Sequence, residues 1–257
     1  IVLVALALAI AWPSLLSGTD PLQADPLNVL RAPSAQHWFG TDQLGRDVYA
    51  RVVYGARHSL AIGAAATLLA VLSGIVLGLG AGLANRYADG LISRALDVLG
   101  AFPELLLALL VVAFTGPGSV NVVFAIAIGS VARYARVMRA DTLVVKGSGY
   151  VEHATTLGWS RPRIVALHIL PNALRSIPVL ATIGLGTAVI AAASLSFLGL
   201  GPQPPSPEWG AMLADGRNYL RIAWWAVFFP GSAVTATVIA LTVVGRYAQR
   251  RFEGRQA

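Results

Sequence analysis

From Ser59 to Leu83 the chain runs 25 residues without a charged side chain. Only one element carries such a run through lipid: a helix pairs every backbone amide within its own segment, and each amide left unpaired in hydrocarbon costs several kcal/mol. At 1.5 Å per residue, about 20 apolar residues cross a hydrocarbon core about 30 Å thick. The rest of the sequence agrees, with 56% of the 257 residues hydrophobic and 12% charged. An all-α membrane protein with six transmembrane helices is expected, at about Ile1–Ser17, Ser59–Leu83, Leu99–Phe114, Val120–Tyr134, Asn172–Leu200 and Ile222–Val244. The first segment lacks the small-residue cleavage pattern of a signal peptide and reads as a truncated first helix. The whole chain, 1–257, is then one membrane domain.

Lys and Arg concentrate on the cytoplasmic side of membrane proteins, so their distribution orients the spans. One set of loops collects Arg86, Arg94, Arg133, Arg136, Arg139, Lys146, Arg161, Arg163, Arg175, Arg246, Arg250, Arg251 and Arg255. The other holds six basic residues, matched by six acidic ones: Asp20, Asp25, Asp42, Asp47, Glu208 and Asp215. Both termini are therefore expected in the cytoplasm. Outer loops fall at 18–58 and 201–221, a long cytoplasmic loop at 135–171, and a basic cytoplasmic tail at 245–257. The formal net charge of +7 reads as a signal of topology, with some attraction to anionic lipid as its consequence, and not as a nucleic-acid-binding face.

The cytoplasmic loop keeps apolar residues at helical spacing. A first short helix is expected from Tyr150 to Leu157, closed at Gly158, the residue type that takes the left-handed conformation at a helix end. Ser160 then caps a second helix with Pro162 in its first turn. That helix puts Ile164, Leu167 and His168 on one face, and Pro171 and Asn172 mark where span five begins. The unit forms a compact knob suited to a groove on a partner.

Glu152, Ala154, Gly158, Leu170 and Pro171 resemble the EAA-Gly-Leu-Pro loop of permeases in ATP-binding-cassette (ABC) importers. His153 and His168 stand where that pattern has apolar residues, while the His-Ile-Leu-Pro-Asn run is similar to the dipeptide, oligopeptide and nickel branch. HWFGTDQLGRDVYARVVYGAR before span two and LSFLGLGPQPPSPEWGAML after span five resemble the same branch, in its second or C-type permease. The basic tail RYAQRRFEGRQA departs from the acidic tail common there. The resemblance implies a type I ABC importer permease fold with a coupling helix between spans four and five. It also implies a heterodimer with a second homologous permease, two ATPase subunits or domains that bind ATP and magnesium, and an extracytoplasmic substrate-binding protein. The setting would be a bacterial or archaeal cytoplasmic membrane.

By the same resemblance the loop docks on an ATPase subunit, with Glu152 as polar anchor, Gly158 as pivot or close-approach point and Pro171 as the junction to span five. His153, Ala154, Arg161, Arg163, His168 and Leu170 belong to that surface. Gly74, Gly78 and Gly82 flatten one face of span two for close packing, against another span of this chain or against the partner permease. Glu104, an ionisable residue at the start of span three, is either a pathway residue or a carboxylate reaching water at the headgroups. Glu208 and Trp209 lie in a proline-stiffened outer loop where the resemblance places the binding protein. Trp209, with Trp224 and Trp225, is equally compatible with an interfacial aromatic belt.

The sequence argues against catalysis by the chain itself. Its single lysine, Lys146, stands in no phosphate-binding Gly-rich loop. The four histidines form no His-Glu-x-x-His pair and cysteine is absent, so neither a metal nor a cofactor is expected in the chain. No Gly-x-Ser-x-Gly elbow occurs. The reading is a transport subunit importing short peptides. Nickel-chelate or haem import is the alternative within the branch, and a self-contained channel or secondary transporter the alternative outside it.

Overall fold

The computed structural model describes residues 2–253, and within them the fold is helical. The helices are α1 (Val2–Ala11), α2 (Pro13–Leu16), α3 (Val48–Leu83), α4 (Arg86–Ala101), α5 (Glu104–Thr115), α6 (Ser119–Lys146), α7 (Gly149–Thr156), α8 (Arg161–Ile164), α9 (Leu170–Ala173), α10 (Ile177–Phe197), α11 (Trp209–Gly216) and α12 (Trp225–Glu253). Arg255 of the expected tail lies outside the described residues. Four helical runs are long and apolar enough to cross a membrane: Val48–Leu83, Ser119–Lys146, Arg161–Phe197 and Trp225–Arg251. The pair α4 and α5, bent by 91°, makes a fifth. The expected first span, Ile1–Ser17, holds the ten-residue helix α1, about 15 Å long, and a break where Trp12 leaves the helical conformation before Pro13.

Span two is longer than its apolar run. α3 begins at Val48 because Asp47 caps it, its carboxylate accepting from Ala50 N at 2.8 Å. The segment 48–58, read as outer loop, is helix. Arg51 is tolerated there because it is 2% exposed and lies 3.5 Å from Asp42, which also takes Arg46 at 2.6 Å.

The core is the α3–α6 pair. A Cβ added to Gly74 would lie 2.5 Å from Tyr134 Cβ, one on Gly78 2.7 Å from Met138 Cβ, and one on Gly82 2.6 Å from Thr142 Cγ2. All three matches share one offset, so the helices run parallel and their backbones approach along the glycine face. Parallel neighbours oblige the chain between them to return across the bundle, and α5 makes that return. Ala108 and Val112 of α5 pack with Val122, Ala125 and Ile126 of α6, while Glu104 meets Ser130 and Arg133, so α5 is antiparallel to α6.

Span three, expected as one helix from Leu99, breaks at Phe102–Pro103. A residue before proline is pushed to extended backbone, and Phe102 has ψ 140°. The right-angled bend lays α4 across the bundle with Leu96 buried on Ala132 and Ala135. α6 meanwhile runs unbroken to Lys146, so the first third of the expected cytoplasmic loop, 135–146, is a helical extension.

α10 is antiparallel to α3, with Gly63 against Val189, and α12 is antiparallel to α10, with Gly245 against Ile183. Pro171, expected at a helix boundary, instead lies inside the helical run 161–197. Proline offers no N–H and its ring displaces the carbonyl four residues back. The run absorbs this by switching to a π turn at Val165–Ile169, with Leu170 N donating to Val165 O, and to a 3-10 turn at Leu174–Ser176 just before Pro178.

Candidate coupling surface

The knob is built as its sequence directs. α7 closes with two bonds, Trp159 N to Ala154 O at 3.1 Å and Gly158 N to Thr155 O at 3.0 Å, the paired pattern that requires a left-handed residue after the helix. Gly158 supplies it at φ +78°. A Cβ there would meet nothing within 4 Å, so within this chain Gly158 serves conformation and not close approach. Ser160 precedes α8 but makes no side-chain capping bond, contrary to expectation, and Pro162 stands in the first turn.

Beneath the turn, Val151, Ala154, Ile164 and Ile169 form a small core with Leu79 and Leu83 of α3 and Val145 of α6. Lys146 Nζ donates to Gly82 O at 3.3 Å. The knob is thereby fixed to the ends of two parallel helices and continuous with a third. His168 lies between Trp159, at 5.2 Å, and Tyr150, at 6.1 Å, and the Arg163 guanidinium stands 4.2 Å over the Trp159 ring. His153 turns back to Gly149 O at 2.6 Å. Among the described residues no group of three or more metal-ligating side chains converges. Leu167, expected on one face with Ile164 and His168, is 56% exposed while Ile164 is buried, because the π turn rotates it outward. It joins Glu152, Leu157, Arg161 and Arg163 on the open surface, with Leu170 and Pro171 behind, where the run continues into α10.

Glu104 is the first residue of α5 and accepts from both Ser130 and Arg133. This pair is the innermost of three. Arg139 binds Asp89 through two bonds of 2.6 and 2.7 Å, and Arg136 lies 3.9 Å from Asp97. The Arg133, Arg136, Arg139 spacing on one helix was a signal in the sequence that counting charges by loop passed over. A cavity of about 640 Å³ opens between α6, α9, α10 and the end of α12, with Val137, Asp141, Tyr150, Arg175 and Ser176 in its lining.

At the opposite end, Glu208 and Trp209 do not face a partner as expected. They are 0% and 1% exposed. Glu208 caps α11 through Gly210 N and Ala211 N and accepts from Ser59 Oγ at 3.1 Å, while Trp209 Nε1 donates to Val52 O. Trp225 is likewise buried, donating to Thr41 O at 3.0 Å, which leaves Trp224, 50% exposed, as the belt candidate of the three. Four prolines stiffen the loop, but its Glu-Trp-Gly segment is a bolt that ties α11 to α3.

A family model described as the binding-protein-dependent transport system inner membrane component matches residues 74–257. The dipeptide transport system permease protein DppC of Alkalihalophilus pseudofirmus is 43% identical over 245 residues, covering 95% of this chain and 81% of its own length. The glutathione transport system permease protein GsiD of Pectobacterium atrosepticum is 47% identical over 221 residues, covering 86% of this chain and 73% of its own. The Escherichia coli GsiD is 45% identical over 249 residues, covering 95% and 80%. Among solved structures, an inward-facing MetNI methionine ABC transporter superposes with TM-score 0.64 at 20% identity, covering 79% of this chain and 96% of that one. An amino acid ABC transporter with histidines gives 0.60 at 18% identity, covering 78% and 94%, so both speak for the fold alone. With a helical bundle of four or five candidate spans, a surface knob fixed to three of them, and a family match over most of its length, the chain belongs to the binding-protein-dependent inner membrane permeases and is a non-catalytic permease subunit of an ABC importer.

Proposed function

We propose that this permease forms half of a passage for short peptides and that the knob from Gly149 to Pro171 is where an ATPase subunit drives it. The observation that carries the reading is the knob's attachment: one small core joins it to the ends of α3 and α6, and an unbroken helical run joins it to α10. A push on its open face, at Glu152, Leu157 and the Gly158 turn, moves these helices as a body, which is how closure at one site reaches another. Glu152 has no side-chain partner among the described residues, leaving its carboxylate for the docking groove. The open space beside Gly158 lets a partner backbone come close. Six spans complete the reading, with Ile1–Ser17 as the first and the α4–α5 pair as the third. Both termini then lie in the cytoplasm of a bacterium or archaeon. The complex comprises a second, homologous permease, two ATPase subunits holding ATP and magnesium, and a binding protein outside. The chain itself holds no cofactor.

Similarity to permeases named for dipeptide and glutathione transport supports small peptides as cargo. The test is uptake by vesicles holding the full complex and its binding protein, offered labelled dipeptides, longer peptides, nickel and haem. ATP-dependent accumulation of peptides is the expected result; accumulation of nickel or haem alone overturns it. In the same vesicles, Glu152→Ala or Gly158→Leu is expected to lower uptake while ATP hydrolysis continues. Unchanged uptake in both would remove the knob from the coupling path.

A further inference from the structure

Arg133 is the fifteenth of the 28 residues of α6, about 20 Å from either end of the helix. Its pair with Glu104 is not sealed, for the two side chains keep 36% and 28% of their surface exposed. Charged groups on a spanning helix face protein, headgroups or a water-filled space, because exposing them to hydrocarbon is too costly. The direction they face follows from what covers the rest of α6. α3 takes Tyr134, Met138 and Thr142, α5 takes Val122, Ala125 and Ile126, and α4 takes Ala132 and Ala135. Arg133 continues the face that meets α5, through Glu104, and Val137 and Asp141 follow it at four-residue spacing. Val137 and Asp141 line the 640 Å³ cavity, a volume in the range of small-ligand sites. The ion pair thus stands one helical turn along α6 from the residues that line the cavity.

We propose that Glu104 and Arg133 are the charge-reading element of the passage. The peptide's ammonium takes the carboxylate of Glu104 and its carboxylate takes the guanidinium of Arg133. The internal pair closes again when the peptide leaves. A zwitterion exchanging with a zwitterionic pair leaves no charge uncompensated at any stage. The site is built for the exchange on one side: Ser130, 6% exposed, donates to Glu104 and holds the carboxylate while Arg133 turns away. Gly129 lets the Glu104 stem seat against α6, since a Cβ there would lie 3.0 Å from Glu104 Cγ.

This inference rests on the short-peptide reading above, and the experiment separates the two. Vesicles holding the whole complex and its binding protein are offered lysyl-alanine and aspartyl-alanine, and the ratio of their initial uptake rates is measured. Glu104→Gln leaves a lone cation and should shift the ratio toward the acidic peptide; Arg133→Gln leaves a lone anion and should shift it toward the basic one. Each shift is expected at about tenfold, the scale of one charge-assisted hydrogen bond. The binding protein is common to all variants, so its own preference cancels. Should either single variant fail to assemble, the neutral double variant Glu104→Gln with Arg133→Gln decides. Assembly with uptake lowered about fivefold or more upholds the proposal, and uptake at the wild-type rate overturns it by showing the pair to be only a strap. Equal ratios in wild type and both single variants overturn it as well. If the wild-type complex takes up neither peptide, the short-peptide reading falls, and with it this proposal.

Discussion

The parallel α3–α6 seam predicts the outcome of adding one carbon atom. In Gly78→Ala the new Cβ would lie 2.7 Å from Met138 Cβ and 2.9 Å from Arg139 N, and closer still to the Ala135 carbonyl. Ordinary carbon contacts begin at about 3.5 Å, so the seam must open by roughly 1 Å, and two of the three obstructing atoms are backbone that cannot rotate aside. Overpacking of this kind costs about 1–3 kcal/mol, here opposed by a gain of up to about 1 kcal/mol in helix propensity. The control is two residues away. A Cβ on Gly80 meets nothing within 4 Å, so Gly80→Ala keeps the propensity gain without the clash. Thermal unfolding of the purified complex should show Gly78→Ala melting below wild type and Gly80→Ala at or above it. Equal effects of the two would refute the seam, and with it the parallel register that makes α5 the return crossing.

Glu208→Ala should destabilise the complex by about 1–3 kcal/mol in the same melt, because it strands Ser59 and two amides of α11 in a buried site. If the change is neutral, Glu208 is not the bolt between α11 and α3. Asp89→Asn should loosen α4 only modestly, since the pair with Arg139 is partly exposed, and faster hydrogen exchange confined to α4 would report it; exchange unchanged across α4 would contradict the pairing. Gly158→Ala should cost about 1 kcal/mol or more through the left-handed backbone alone and lower uptake more than it lowers melting temperature. A proportional loss of both would make the turn merely structural.

Local chemistry was legible in the sequence where it acts on neighbours: the Gly158 turn, the Pro162 start and the glycine face of α3 follow from backbone geometry that needs no tertiary context. Span ends were less legible. Hydropathy marks where side chains suit lipid, whereas helices continue while their backbone bonds continue, so α3 runs past Arg57 and Arg51, and α6 past Arg136 and Arg139. Those arginines looked like loop charges because their partners, Asp42 for Arg51 and Asp97 and Asp89 for the α6 pair, lie on other elements. Glu208 and Trp209 misled for the same reason: a polar residue and a tryptophan in a proline-rich loop suggest a surface, and only the fold shows Ser59 and Val52 waiting for them. Pro171 reads as a boundary by its chemistry, yet the π turn before it lets the helix continue and turns Leu167 outward.

The chain contains no cysteine, so a single introduced thiol reports on one place. Leu157, 76% exposed beside the Gly158 turn, and Leu198, 54% exposed at the far end of α10, mark the two ends of the molecule. In the assembled complex a short thiol-to-amine cross-linker on Leu157→Cys should capture an ATPase subunit, and the same reagent on Leu198→Cys should not. Capture of the ATPase from Leu198→Cys and not from Leu157→Cys would contradict both the docking role of the knob and the orientation of every span.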